Sequence, residues 1–312
     1  PVLKAAGFLE NLNPWVDATG TIDRSQYHPL VMEELGSDFL PFIPVVSYPY
    51  PLFYRKDLLA QVGVDEPPSD WTFADFRDML RRVTKRDSEG NVEMWGYDDF
   101  SRLWPFERPM GMQYFDETGT QVVVNNQATR DGMTFFHQLI WEDQTMAPPG
   151  VSAKLLGGQA ASGVYGTWAL NSYGSQFDLG LAPLPAGPGG RKQLLLIEGM
   201  GMYAGSENKE AAWKFISWMA SDEEQKRIAL RQDMPAKISI ALGWAFLGNP
   251  YRDTLLEILA TGSEFFPIPH NAEVPYEVLA LALRLVNFGP FWNNRASLND
   301  LLSETQTRMQ VV

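Results

Sequence analysis

The residues of this sequence that could make or break covalent bonds fall into no catalytic or metal-binding motif, beginning with its three histidines and its lack of cysteine. His28, His137 and His270 are scattered, with no HExxH run and no His/carboxylate cluster of the sort a metal hydrolase needs. The absence of cysteine excludes thiol catalysis, disulfides and Cys-based zinc sites, and leaves the compartment open. No GxxxxGK[ST] phosphate loop occurs. Asp98-Asp99 and Asp222-Glu-Glu224 resemble paired catalytic carboxylates, but adjacent acids at a helix start are explained by the macrodipole, and spacing does not show the separation glycosidases require. No catalytic residue, metal or cofactor is therefore expected.

The remaining recognition chemistry is aromatic. Gly163-Val-Tyr-Gly-Thr-Trp168 sets a large apolar ring on a backbone holding two glycines within four positions. Glycines let the chain swing a side chain to a rim and let a ligand come close. A ring held this way can offer its flat apolar face to a ligand. The alternative is a tryptophan packed beneath a loop. Trp104 and Phe106, in Leu103-Trp-Pro-Phe106, sit at the first turn of a helical piece where Pro105 suits the opening position. One aromatic there must cover the core. Tyr48 and Tyr50 offer hydroxyls beside apolar rings, or packing for a proline-rich crossing. Gly199, in Glu198-Gly-Met-Gly201, brings backbone close to a ligand or simply bends a strand. Tyr276, with His270-Asn271 and Glu277, precedes a late helical piece and reads by itself as a solvated loop.

These residues need a scaffold, and the chain is long enough for two lobes: 312 residues, 45% of them hydrophobic. The net charge, 25 − 38 = −13, has no basic block to interrupt it, so nucleic acid and anionic lipid are poor partners. No apolar run reaches the 18 or more residues of a membrane span. Thr72 caps a helix with Phe73, Phe76, Met79, Leu80 and Val83 at a 3.6-residue period; another runs from Thr129 to Asp143. Further helices are expected over 208–219, after the Ser221-Asp-Glu-Glu224 capping box, over 276–287, and from Ser297. Trp141, Trp213, Trp218 and Trp71 read as packing residues. Pro44 suggests that the strand near 39–46 is not a central one, and Pro183–Gly190 reads as a surface loop. Strand pieces alternate with helices throughout, which argues for α/β layers.

Four stretches in order resemble the extracellular solute-binding proteins of ABC importers, specifically their sugar-binding, maltodextrin-binding-like cluster. They are Leu52-Phe-Tyr-Arg-Lys-Asp-Leu-Leu59 with Gly63, Pro67-Pro68 and Trp71-Thr-Phe73; Leu156-Gly-Gly-Gln-Ala-Ala161 with Gly166-Thr-Trp168; Phe177-Asp-Leu-Gly-Leu-Ala-Pro-Leu-Pro185 with Ser206–Phe215; and Ser297-Leu-Asn-Asp-Leu-Leu302 with Gln306-Thr-Arg-Met309.

The resemblance implies a two-lobe periplasmic-binding-protein-like α/β fold of the type II kind. Its lobes are joined by crossing strands near 45–51 and 197–203, and lobe 1 lacks its first βα units. Lobe 1 would take 1–47 and 204–265, lobe 2 would take 48–203 and 266–312. It further implies a receptor, not an enzyme, that captures a sugar in an inter-lobe cleft and hands it to ABC permease subunits. Closure would follow a ligand's differential affinity for the closed form. The ligand contacts implied are Trp168, Trp104, Tyr48, Tyr50, Gly199, Phe106 and Tyr276. A monomer is expected, extracellular or periplasmic, with a lipid anchor in a segment outside this sequence as one form. The alternatives are the same fold holding a glycerol phosphoester or polyamine, and a carbohydrate-active enzyme.

Overall fold

A threonine before an apolar stripe starts a helix when its hydroxyl replaces a missing backbone partner, and Thr72 does so here. In the computed structural model, which describes residues 2–35, 38–98, 103–114, 116, 121–173, 176–231, 233–243, 251–260, 263–264 and 288–310, Thr72 Oγ1 accepts from the Asp75 N–H. The Asp75 carboxylate accepts from the Thr72 N–H at 2.8 Å, completing a capping box for the helix Phe73–Val83. Its buried residues are the five of the periodic stripe. The helix Gln127–Trp141 is capped by Asn126, which accepts from the Thr129 N–H at 2.8 Å. The expected helical piece over 276–287 lies outside the described residues.

The chain divides into two compact units, Pro1–Pro49 with Leu195–Leu256, and Tyr50–Leu194 with Glu257–Val312. It passes between them after Pro49, after Leu194 and after Leu256.

In the first unit the strand Ile43–Pro49 runs antiparallel to the strand ending at Met200, from Ile43↔Met200 to Pro49↔Leu195. On its other side Val46 and Ser47 pair with Pro235 and Met234. The strand therefore has neighbours on both sides, contrary to the expectation drawn from its proline. The pairing register shifts between Pro44 and Val46, and the second ladder begins only at Val46, so the ladder is irregular where proline has no N–H to give. Leu12, Val16, Tyr27, Leu40 and Ile43 form a core with Trp213 and Ile216 of the helix Lys209–Met219.

Trp218 does not join that core. It lies five residues, or about 140° around the helix, from Trp213, is 45% exposed, and lies 6.0 Å from the ring of Phe215, also exposed, in a tilted contact.

Gln225 ties this unit together. It is wholly buried, donates from Nε2 to the Val45 carbonyl at 2.8 Å, and accepts at Oε1 from the Lys237 N–H at 3.1 Å. Gln225→Leu keeps the volume and removes these bonds together with the one from Nε2 to the Met219 carbonyl at 3.4 Å. The Val45 carbonyl retains the Ala236 N–H, whereas the Lys237 N–H loses its described partner, so a loss of about 1–3 kcal/mol is expected in chemical denaturation. An unchanged midpoint would mean that water replaces the amide.

The second unit is built on a three-stranded sheet in which Leu52–Arg55 lies between Ser162–Val164 and Leu179–Ala182, antiparallel to both. Phe73, Phe76, Tyr97, Phe106 and Phe136 form an aromatic core with edge-to-face and tilted contacts. Trp71 is buried as expected, and its indole N–H donates to the Pro183 carbonyl at 2.9 Å. The segment opening at Pro183 is a surface loop only from Ala186 onward, and its first three residues are buried. Leu184 is wholly buried, and Gln193 supplies the polar partners of its backbone, accepting from the N–H at 3.0 Å. Trp141, expected inside, is 38% exposed, with its N–H donating to the Trp292 carbonyl at 3.1 Å. No helix among the described residues is long and apolar enough to cross a membrane.

Candidate functional site

The strand Ser162–Val164 delivers the chain to Tyr165, whose ring is buried 6.0 Å from Phe53 on the central strand, edge to face. Gly166 follows, and a short helix opens at Trp168, with the Ala169 N–H bonded to the Gly166 carbonyl at 3.0 Å. The indole folds back over that glycine. A Cβ at position 166 would stand 2.6 Å from Trp168 Nε1 and 3.2 Å from Tyr50 Cε2. Glycine is therefore needed here for close approach, because the ring occupies the space of a side chain.

Trp168 is half-buried, with the Tyr165 ring meeting it edge-on at 6.2 Å and 85°. Tyr50 converges on the same point above Gly166, and its ring lies 5.2 Å from that of Trp104. Three of the sequence-derived residues, Trp168, Tyr50 and Trp104, are thus linked within the second unit. Half-exposed indoles at both ends of the group can receive the apolar face of a flat guest.

Behind this group stands the carboxylate of Asp98. It is wholly buried, accepts from the Tyr165 hydroxyl, and pairs with Lys154 Nζ at 3.4 Å. Asp98 orients the ring on which Trp168 leans. Asp99 lies outside the described residues. Asp222-Glu-Glu224 does open a helix, where Ser221 accepts from the Glu224 N–H at 3.3 Å, in keeping with the macrodipole account.

The other proposed contacts fall elsewhere. Phe106 is fully buried in the aromatic core, one turn behind Trp104. Tyr48 and Gly199 belong to the first unit, Tyr48 half-buried and paired with Leu196. A Cβ at Gly199 would meet Phe42 Cδ2 at 2.3 Å and the Ile43 carbonyl at 2.4 Å, which accounts for glycine by strand packing alone. Tyr276, His270, Asn271 and Glu277 lie outside the described residues.

Sequence reasoning missed one feature entirely. Trp104 also lines a cavity of about 200 Å³ with Met112, Met133, Phe136, Phe288 and Trp292, into which Glu107 and Tyr114 bring the polar atoms. The two polar residues are seven apart across an irregular turn, a spacing with no periodic signature.

An α/β fold in two units, with an aromatic surface and no assembled catalytic group among the described residues, is the two-lobe periplasmic-binding-protein-like class. The chain belongs to the bacterial extracellular solute-binding protein family, whose model matches residues 2–226. Membership places it in the extracellular or periplasmic space, among solute-binding proteins.

A maltotriose-binding protein from Pyrococcus abyssi is 29% identical over 251 residues, 72% of this chain; those residues span about half, 49%, of that relative's length. An ABC substrate-binding protein from Listeria monocytogenes, solved in complex with cycloalternan, superposes with a TM-score of 0.81 at 19% identity, over 99% of this chain and 81% of that one. The maltose/maltodextrin-binding domain from Bdellovibrio bacteriovorus bound to maltotriose gives 0.77 at 16% identity, with 99% and 81% covered. At such identities these structures bear on the fold.

Proposed function

We propose that this chain captures a sugar, an oligosaccharide in particular, for delivery to the permease subunits of an ABC importer. The observation that carries the reading is the indole of Trp168 laid over Gly166 and continued by Tyr50 and Trp104. A sugar stacked on such rings buries its C–H face at ~25 cal/mol/Å² while its hydroxyls stay free for polar partners. The sugar ligands named for the relatives support the same choice. Tyr48 and Gly199 are kept in the proposal as contacts offered by the first unit, Phe106 as support for Trp104, and Tyr276 as a contact from the late segment. The protein acts as a monomer without nucleic acid, in line with its charge of −13, and a lipid anchor outside this sequence is one way of holding it at the membrane.

The test is calorimetric titration against gluco-, manno- and galacto-oligosaccharides, followed by chromatography of each sugar after long incubation. Saturable binding of at least one sugar, recovered unchanged, is expected. Binding only of a polyamine or a glycerol phosphoester would overturn the sugar assignment, and released product would overturn the receptor.

A further inference from the structure

The cavity beside Trp104 combines features that suit one chemical class of guest. Its walls include the rings of Trp104, Tyr114, Phe136, Phe288 and Trp292, and one carboxylate, that of Glu107, stands among them. The backbone fixes Glu107 after the Trp104–Phe106 turn, its carbonyl accepting from the Met112 N–H at 2.8 Å. Tyr114 donates its hydroxyl to Glu107 Oε1 at 2.8 Å, and no hydrogen bond from the described residues reaches Oε2. The opposite wall is also held. Trp292 ends a short helix whose Phe291 stacks 4.6 Å from His137, and whose Trp292 carbonyl takes the Trp141 N–H.

A space smaller than the ~300 Å³ of ordinary small-molecule pockets takes only a few heavy atoms. An anion would face Glu107. Glu107 is half-buried, and a neutral apolar guest would cover its Oε2 without supplying a donor, at the cost of desolvating a polar atom. A cation meets both needs, since ring faces attract positive charge and the carboxylate accepts its N–H. The acidic chain as a whole favours the approach of cations.

We infer that this cavity is an accessory site for a small alkylammonium ion, its ammonium group donating to Glu107 Oε2 and its methylenes lying against Trp104 and Trp292. Burial pushes the Glu107 carboxyl up to about 7, against the lowering influence of the Tyr114 hydrogen bond and of Arg108, and a bound ammonium restores the ionised form that burial opposes. Tyr114 keeps its proton, because burial, followed by the nearby Glu107 charge, raises its hydroxyl well above the usual range. The inference is independent of the sugar reading, although Trp104 serves both.

The experiment compares n-butylammonium with 1-butanol, a neutral guest of nearly the same shape, by calorimetry and tryptophan fluorescence at pH 8, without sugar. Saturable binding of the amine at least tenfold tighter than of the alcohol is expected, and the isosteric Glu107→Gln should abolish that preference while leaving oligosaccharide binding intact. Equal binding of amine and alcohol, no saturable binding, or full amine affinity in a folded Glu107→Gln protein would each overturn the site. Should that variant not fold, the wild-type comparison still decides.

Discussion

Trp168→Ala is expected to weaken oligosaccharide binding about 70-fold without unfolding the protein. One face of the indole offers roughly 100 Å² of its ~150–250 Å² to a flat guest, which at ~25 cal/mol/Å² amounts to about 2.5 kcal/mol. The fold has less at stake, since Trp168 is half-buried and touches the wholly buried Tyr165 only by a ring edge. Gly166→Ala sharpens the test. Its Cβ would come within 2.6 Å of Trp168 Nε1 and 2.7 Å of Cδ1, so the indole must tip away although none of its area is deleted. Both variants should lose affinity in calorimetry while retaining their circular dichroism spectra. If Trp168 is a packing residue only, the pattern inverts: the melting temperature of Trp168→Ala falls and its sugar affinity stays.

How far the sequence discloses this arrangement depends on the range of the interactions involved. Thr72 with Asp75, and the stripe from Phe73 to Val83, are local, and the cap and the buried face lie where the spacing puts them. The glycine before Trp168 was readable as permissive backbone, although not as backbone lying beneath the ring itself. Long-range partners were silent. Nothing near Leu184 announces that Gln193 will satisfy its backbone and let the first residues of a proline-glycine segment run buried. Nothing near Asp98 announces the Tyr165 hydroxyl or Lys154. On the helix Lys209–Met219 aromatics occur on both sides, so residue type could not separate the buried Trp213 from the exposed Trp218. Glu107 and Tyr114 meet only because an irregular turn doubles back, which no hydrophobic period encodes.

Phe106→Ala is expected to be the most destabilising of these changes, at about 3–5 kcal/mol, the range for deleting a buried aromatic and leaving its cavity. Phe106 has no exposed surface and stands 5.3 Å from Phe76, 5.5 Å from Phe136, 5.6 Å from Tyr97 and 5.9 Å from Phe73. Each contact adds about 0.5–1.5 kcal/mol beyond buried area, and four rigid rings, two of them on one helix and the others on separate segments, have little freedom to collapse into the gap. Phe106→Leu refills most of the volume and should recover more than half of the loss. Thermal melting followed by near-ultraviolet circular dichroism reads the effect, because the signal comes from those same rings. The two roles proposed for this residue then separate. Support for Trp104 predicts a lower melting temperature with sugar affinity kept wherever the variant is folded. A loss of affinity at an unchanged melting temperature would instead return Phe106 to the ligand.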